Sequence, residues 1–187
     1  MKKVIKYLSG IALVLTISCG EDDPLDAGWS KFGDHDYAAA HAEFTSLVSS
    51  EGSEAYVGLG WTTLMMDSLP EADAYFALAA GDSLLQGYAG WSIVAWRLGQ
   101  HNPCIDRAEF AFRNAGGHDS YEFPYDPEIT HHDLLIHEGF SYYYLQNSFQ
   151  CLNTIQKMDP SFTVALNNPD LLNILLAKLE ALSQEYN

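Results

Sequence analysis

The stretch HHDLLIHEGF, residues 131–140, carries the side chains best suited to chemistry in this sequence. Asp133 and His137 are four residues apart, so on a helix they share one face and could present two ligands to zinc. His118 or Asp126 could supply a third ligand. Because Asp133 is also explained by a role in capping the helix, we expect no metal here. A metal-dependent hydrolase using residues 131–138 is nevertheless kept as one of three functional hypotheses.

Other catalytic patterns are missing from the sequence. It has no HExxH zinc motif, no glycine-rich phosphate loop and no Gly-x-Ser-x-Gly nucleophile elbow. Cys104 and Cys151 have no catalytic framework around them, and they form either a disulfide or two buried thiols. We therefore predict a protein that is not an enzyme and that uses no cofactor.

Tyrosine and tryptophan side chains are candidates for binding. The three consecutive tyrosines at 142–144 fan through about 200° on a helix, so at least one faces outward or into a groove. Aromatic residues at helical spacing are often core, but they also contribute large contact area at little entropy cost when they bind a partner. The candidate partner-binding residues are Tyr88, Trp91, Trp96, Tyr121, Tyr125, Tyr142 and Tyr143.

A repeated pattern indicates which elements position these residues. Glycine precedes a large aromatic residue four times, at Gly28-Trp29, Gly60-Trp61, Gly90-Trp91 and Gly139-Phe140. Behind each lies a small residue followed four positions later by another residue, namely Ala40 and Phe44, Ala72 and Phe76, Ala108 and Phe112, and Cys151 and Ile155. The gap from the glycine to the small residue is 12 except in the third unit, where it is 18. The third unit is therefore predicted to contain six added residues.

A period near 32 with this pattern predicts two antiparallel helices in each unit. Gly60 would let a neighbouring helix approach closely, and Phe76 would fill the space between small residues. Neither helix can bury its apolar stripe alone, so the pairs must stack. The three tryptophans that follow glycine are accordingly expected to occupy related environments.

These residues resemble the tetratricopeptide repeat. The pattern is carried by Tyr56, Leu59, Gly60, Ala72, Phe76 and Ala79, by HDYAAAHAEF at residues 35–44, and by Asp159-Pro160 at the end of the fourth unit. The resemblance implies an all-α fold of about four stacked helix pairs, forming a short right-handed α-solenoid that holds a protein partner in its concave face. A final helix reaching about residue 185 would cap the array.

Helix boundaries follow from caps and prolines. Asn102 before Pro103 and Asn168 before Pro169 indicate helix starts. A capping box that begins at Thr130 predicts a helix extending to residue 145.

An irregular insertion at about 114–131 interrupts the array. Its glycines and prolines exclude helix, while the alternation of Tyr121, Phe123 and Tyr125 suits an extended segment lying against the helices. This segment either covers apolar surface, or shapes one end of a groove or docks on a partner.

The N-terminus predicts export. Three lysines precede an apolar run at residues 7–17, which is typical of a signal peptide and too short to span a membrane. Ser18-Cys19 resembles a bacterial lipobox, so residues 1–18 would be removed and Cys19 lipidated; a plain signal peptide is the alternative. Residues 19–24 would be an acidic tether or an export tag for the outer face of the outer membrane. Residues 25–187 would form the repeat domain of an outer-membrane lipoprotein on the periplasmic or cell-surface side.

The charge balance limits the partners. Without residues 1–18, six basic residues remain against 25 acidic ones, so we expect no binding to nucleic acid or anionic lipid headgroups. The membrane would be contacted through the lipid alone. The leading hypothesis is an envelope scaffold or adaptor for a protein or peptide of basic character. The alternative is a helical-repeat lipoprotein that binds a small molecule or sugar for nutrient uptake.

Overall fold

The structure is a computed structural model that describes residues 23–186. The predicted signal peptide and Cys19 lie outside the described residues. The described chain is all-helical, with a short 3-10 helix at Ala80–Asp82 and nine α-helices. These are α1 (Asp26–Gly33), α2 (Tyr37–Glu51), α3 (Ser53–Met65), α4 (Leu69–Ala79), α5 (Leu85–Arg97), α6 (His101–Ala115), α7 (His131–Tyr144), α8 (Ser148–Met158) and α9 (Leu171–Tyr186).

The helices pack in sequence-adjacent pairs, which confirms the predicted all-helical plan. The odd-numbered helices α1, α3, α5, α7 and α9 pack consecutively in one row, and each even-numbered helix packs against the two odd-numbered helices that flank it in sequence. This arrangement of paired helices is consistent with an α-solenoid. No helix within residues 23–186 combines the length and the apolar character that crossing a membrane would need.

The same turn joins the two helices of all four pairs. The central residue of each turn has a positive φ, at His35, Asp67, Gly99 and Gln146. In the first turn, the amide of His35 donates to the carbonyl of Phe32 and the amide of Asp36 donates to that of Lys31, which is a Schellman motif. Equivalent hydrogen bonds close the other three turns. The four pairs therefore share one register, with steps of 32, 32 and 47 residues between turns.

This register corrects the sequence analysis of the third pair, which contains no added residues. Counted from its turn at Gly99, the positions of the repeating glycine and small residue are held by Ser92 and Cys104, both fully buried. Gly90-Trp91 resembles the repeated dipeptide but lies two positions earlier. The extra 15 residues of the third step are residues 116–130, between α6 and α7.

Phenylalanine rings are packed between glycines in the first two pairs. Phe44 on α2 lies against Gly28 of its own pair and Gly58 of the next, and a Cβ on either glycine would come within 2.5 Å of the ring. Phe76 on α4 lies in the same way against Gly60 and Gly90, at 2.5 and 2.4 Å. Because any side chain at these glycines would overlap the ring, glycine is needed for the close approach of the helices at these positions. The predicted roles of Gly60 and Phe76 are confirmed.

Of the predicted helix caps, the one at Thr130 is confirmed and the one at Asn102 is wrong. Thr130 and Asp133 form the predicted capping box at the start of α7. Asn102 is not an N-cap, because α6 begins one residue earlier and Gln100 occupies the cap position. The helix predicted to start at Asn168 begins at Leu171. Asn168 lies in the preceding loop, and its side chain accepts a hydrogen bond from the amide of Asp170. The last helix buries one face against α7 and α8, as expected of a cap on the array.

Candidate binding site

Residues 116–130, here called the insertion segment, cover the aromatic side chains of α1 and α3. Phe123 stacks on Trp61 with ring centroids 4.1 Å apart, and Tyr125 stacks on Trp29 at 3.8 Å with an interplanar angle of 2°. The predicted extended conformation is wrong, because the segment is a loop of successive turns that folds back through one isolated antiparallel bridge, between Glu122 and Thr130. Its aromatic rings lie against the array as predicted.

A cavity of about 180 Å³ remains where the insertion segment meets the beginnings of the odd-numbered helices. The cavity is lined by Asp23, Leu25, Trp29, Glu54, Val57, Leu84, Leu85, Gln86 and Tyr125. It thus combines an aromatic pair, an aliphatic surface and two carboxyl groups.

The polar groups of this cavity are mainly acceptors. Asp23 and Glu54 contribute carboxylates, and the side-chain Oε1 of Gln86 is buried without a hydrogen-bond partner. The backbone of Gln86 is held in place, because its carbonyl accepts a 3.0 Å hydrogen bond from the indole Nε1 of Trp61. Because this Oε1 atom is buried, the two exposed carboxylates are the charged groups that the cavity offers to a ligand.

The electrostatic field of the cavity is negative. Burial raises the pKa of the Tyr125 hydroxyl, and the nearby carboxylates of Asp23, Asp26 and Glu54 raise it further. The phenol therefore stays neutral and can donate a hydrogen bond. A cation would be favoured in this field, and an anion would be repelled.

Only one of the seven aromatic candidates lines this cavity, namely Tyr125. Tyr121 requires a correction, because its side chain is 1% exposed and belongs to the core beneath the insertion segment. The segment alternates in direction, so Tyr121 and Phe123 point inward, where the apolar faces of the helices need covering. Tyr121 is therefore not placed to contact a partner.

Tyr88 and Trp91 lie together at the junction of the second and third pairs. Tyr88 stacks on Phe110 at 3.9 Å. The Trp91 indole donates a 2.6 Å hydrogen bond to Asp73, and the guanidinium of Arg107 lies 3.5 Å from its ring centroid. Both aromatic side chains are half-buried. Trp91 thus differs from the buried Trp29 and Trp61, contrary to the expectation of related environments.

Trp96 and Tyr143 lie near the turns of the third and fourth pairs. Trp96 stacks on His137 and on Phe140, each with centroids 5.5 Å apart, and Tyr143 packs edge-on against Tyr144. Burial lowers the pKa of His137 to about 4, with a further contribution from Arg97. His137 is therefore a neutral ring within an aromatic cluster.

Tyr142 borders a buried charge cluster between α6, α7 and α8. Nζ of Lys157 lies 3.4 Å from Glu109 Oε1 and 3.6 Å from Glu138 Oε1. Glu138 is 1% exposed, and its burial raises its pKa to about 8, although Lys157 opposes the shift. The Tyr142 pKa is raised to about 12 by burial and by the two glutamates. Sequence reasoning missed this cluster, because Lys157, the cation beside Glu138, lies on a different helix.

The residues considered for zinc do not form a site. Asp133 accepts a hydrogen bond from the amide of Thr130 in the capping box, while His137 packs against Trp96. Within residues 23–186, no three histidine, cysteine, aspartate or glutamate side chains come together to hold a metal ion. Cys104 and Cys151 are buried free thiols, which is the second of the two alternatives considered for them.

The cavity residues other than Tyr125 were not identified from the sequence. Asp23 precedes α1, Glu54 lies on α3 and Gln86 lies on α5, and none of them stands in a recognisable sequence motif. The sequence indicates only that these residues lie near the beginnings of successive odd-numbered helices. Stacking of the helices brings those beginnings to the same edge of the array. Comparison of the whole sequence with models of known families gave no match, and neither did comparison with curated proteins.

Proposed function

We propose that this protein is a lipid-anchored adaptor of the outer membrane, which holds a basic segment of a protein partner. The observation that carries the proposal is the arrangement of charge. Five of the six basic side chains in residues 23–186 are paired with carboxylates of the same chain. The large excess of acidic residues has no intramolecular counterpart, so a basic partner would be attracted and steered towards this surface.

The proposed architecture is a right-handed, tetratricopeptide-like solenoid. Its support is the fourfold turn and the packing of Phe44 and Phe76 between glycines. Part of the groove that such arrays use is filled by Phe123 and Tyr125 of the insertion segment. The proposal therefore places partner contacts at the cavity beside the beginning of α1.

The cavity beside α1 is small for a small-molecule or sugar site, whereas a second cavity, of about 480 Å³, is lined by Pro127, Glu128, Thr130, His132, Glu185 and Tyr186. Pockets for drug-sized ligands usually measure about 300–1,000 Å³. The cavity beside α1 is about 180 Å³, close to the size of engineered cavities that hold a single benzene. A space of this size suits one side chain of a longer ligand.

The anchoring part of the proposal rests on Cys19. We expect Cys19→Ser to release the protein from membranes and to leave its helical circular dichroism spectrum unchanged, because the repeat domain begins after the tether. The measurement is fractionation of cells into membrane and soluble protein. Retention of the variant in the membrane fraction would contradict lipidation.

The adaptor function can be tested by photo-crosslinking in intact cells. A photoreactive amino acid replaces Leu85, which lines the cavity, or Leu172, which is exposed on α9 at the far end of the array. We expect a crosslinked protein with a basic segment at position 85 and a much weaker product at position 172. Equal crosslinking at the two positions, or no product at either, would contradict the proposal.

A further inference from the structure

Exposed apolar side chains are concentrated at one edge of the array. This edge, here called the turn edge, consists of the turns of the second, third and fourth pairs, at residues 64–69, 97–102 and 144–149. Isolated exposed apolar residues are normal on a protein surface, whereas a cluster of them indicates an interaction. Within residues 23–186, nine large hydrophobic side chains are exposed, and six of them belong to the turn edge: Met65, Met66, Leu98, Tyr144, Leu145 and Phe149.

The three turns of this edge adjoin one another. Asp67 of the second pair forms an ion pair with Arg97 of the third, and His101 of the third pair stacks on Tyr144 of the fourth with ring centroids 5.0 Å apart. The six apolar side chains therefore belong to one surface. The position immediately before the positive-φ residue is apolar in each of the three turns, where it is held by Met66, Leu98 and Leu145.

The turn edge carries no net charge, in contrast to the chain as a whole. With histidine counted as neutral, its charged residues are Asp67 and Arg97, which pair with each other. The whole chain has 25 acidic residues against nine basic ones. The turn of the first pair lies outside the turn edge, because it carries Asp34 and Asp36. An apolar surface without net charge does not suit the basic partner proposed above, so it requires an occupant of a different kind.

We infer that the turn edge lies against the lipid bilayer, an inference that rests on the lipid anchor proposed above. An extended chain spans about 3.5 Å per residue, so the four steps from Cys19 to Asp23 can cover about 14 Å. The eight residues of α1 rise about 12 Å from Asp26 to the first turn. Asp26, Ala27 and Ser30 leave one side of α1 exposed along this path. A lipidated Cys19 can therefore reach the level of the turn edge.

The side chains of the turn edge suit the boundary between lipid and water. Methionine, leucine and phenylalanine can enter the acyl region, while the hydroxyl of Tyr144 can remain among the headgroups, where tyrosine is enriched. Because the rest of the chain is acidic, zwitterionic lipids are favoured over anionic ones. The cavity beside α1 lies at the opposite edge, where the odd-numbered helices begin, so it would face away from the membrane.

A second copy of the chain fits the turn edge less well than a bilayer. Six side chains that are 37–57% exposed can bury on the order of 500 Å² per copy, whereas a stable dimer buries about 800 Å² per partner. A protein partner would also need a surface shaped to these six side chains. A bilayer needs only that they protrude.

The test compares two exposed leucines in the lipoprotein reconstituted into phosphatidylcholine vesicles. Leu98 belongs to the turn edge, and Leu78 lies at the end of α4, at the opposite edge. Leu98→Cys and Leu78→Cys are each labelled with the fluorophore NBD, which does not reach the buried thiols of Cys104 and Cys151. We expect phosphatidylcholine with a nitroxide on its acyl chain to quench NBD at least threefold more strongly at position 98 than at position 78. Equal quenching at the two positions would overturn the inference.

A second substitution tests whether the contact is apolar. Leu145→Asp brings a charge to the turn edge, and we expect it to reduce the quenching at position 98 at least twofold. Leu166→Asp is the control, because Leu166 is exposed in the loop before α9, and it should leave the quenching unchanged. Circular dichroism checks that both variants are folded. Equal effects of the two substitutions would overturn an apolar contact with lipid.

The remaining outcomes separate the bilayer contact from other occupants and from the anchor. A blue shift of NBD at position 98 without quenching by the nitroxide lipid would mean that a protein surface covers the turn edge, and would overturn the inference. Mass spectrometry of the labelled protein reports the lipid on Cys19 independently. If Cys19 is lipidated but position 98 is not quenched, the anchor stands and the bilayer contact fails. If Cys19 carries no lipid, the anchor fails, and the inference that rests on it is overturned as well.

Discussion

The two ends of the helical array are held together by different interactions. In the first two pairs, α1–α4, phenylalanine rings are enclosed by glycines from neighbouring helices, and the buried polar side chains, Thr62 and Thr63, are uncharged. In the last two pairs, the positions of Phe44 and Phe76 are held by the smaller Ala108 and Ile155. Polar groups are buried in this second part, notably Glu138 beside Lys157.

A shared backbone register therefore does not require a shared core. The four turns have nearly the same geometry, yet the side chains between them change from an interlocked apolar set to a mixed one. Removing an apolar ring leaves a cavity, whereas removing a buried charge relieves desolvation. We therefore expect loss of a buried ring in the first part to lower the free energy of unfolding, and replacement of the buried Glu138 in the second part to raise it at pH 8.

The largest effect is expected for Phe76→Ala. The ring is 1% exposed and is enclosed by Gly60 and Gly90, so its loss leaves a cavity that the helices cannot fill. We expect the free energy of unfolding to fall by about 3–5 kcal/mol, measured by urea denaturation. Phe149→Ala is the control, because Phe149 is 57% exposed and its loss should change stability by less than about 0.5 kcal/mol. Similar effects of both substitutions would contradict the interlocked core.

Gly60→Ala tests the same packing from the other side. A methyl group there would come within 2.5 Å of the Phe76 ring, which costs about 1–3 kcal/mol and outweighs the gain of about 1 kcal/mol in helix propensity. We expect a lower unfolding temperature. At Gly81 a methyl group would meet nothing within 4 Å, so Gly81→Ala should be neutral or slightly stabilising. A stabilising effect of Gly60→Ala would refute the close approach of α3 and α4.

Glu138 should make the second part sensitive to pH. Because the pKa of Glu138 is raised to about 8, the folded protein keeps a proton between about pH 4.5 and 8 that the unfolded chain releases. Stability should therefore fall as the pH rises through this range. We expect Glu138→Gln to be more stable than the wild type at pH 8 by on the order of 1–2 kcal/mol.

The measurement is thermal unfolding between pH 7.5 and 8.5. In this range His137 contributes little, because the folded group, with its pKa lowered to about 4, is neutral and the unfolded imidazole has released most of its proton. Glu180→Gln, at an exposed position, should keep the pH dependence of the wild type. An unchanged slope in Glu138→Gln would show that Glu138 does not hold the proton.

The smallest effect is expected where the two parts meet at the surface. Arg97 on α5 is paired with Asp67 in the turn of the second pair, and both side chains are exposed. Exposed ion pairs usually contribute less than about 1 kcal/mol, so Arg97→Gln should barely change the free energy of unfolding. A loss above about 2 kcal/mol would mean that this ion pair joins the two parts.

The regular part of the fold could be predicted from the sequence because its signal is local and repeated. Gly60 and Phe76 stand at the spacing that one helix pair requires, and the capping box at Thr130 uses residues three apart. The third pair was placed two positions out of register, because Gly90-Trp91 imitates the repeated dipeptide while the equivalent position is held by Ser92. The turns themselves share a conformation without sharing a residue type.

The candidate site could not be predicted in the same way. Its members Asp23, Glu54, Gln86 and Tyr125 come from four distant parts of the chain. Each has a local explanation, such as an acidic residue in the first turn of a helix for Glu54. Only the stacking of helix beginnings at one edge, together with the path of the insertion segment, brings them around a single cavity.

The central claim is that partner binding belongs to the cavity beside α1, and the four tryptophans test it most directly. Their indole N–H signals can be followed by NMR while a basic peptide, acetyl-GKKKKG-amide, is added. We expect the signals of Trp29, in the cavity wall, and Trp61, which donates to Gln86, to shift with a common saturation curve. The signals of Trp91 and Trp96 should stay in place. Shifts confined to Trp91 and Trp96, or no saturable shift at Trp29, would contradict partner binding at this cavity.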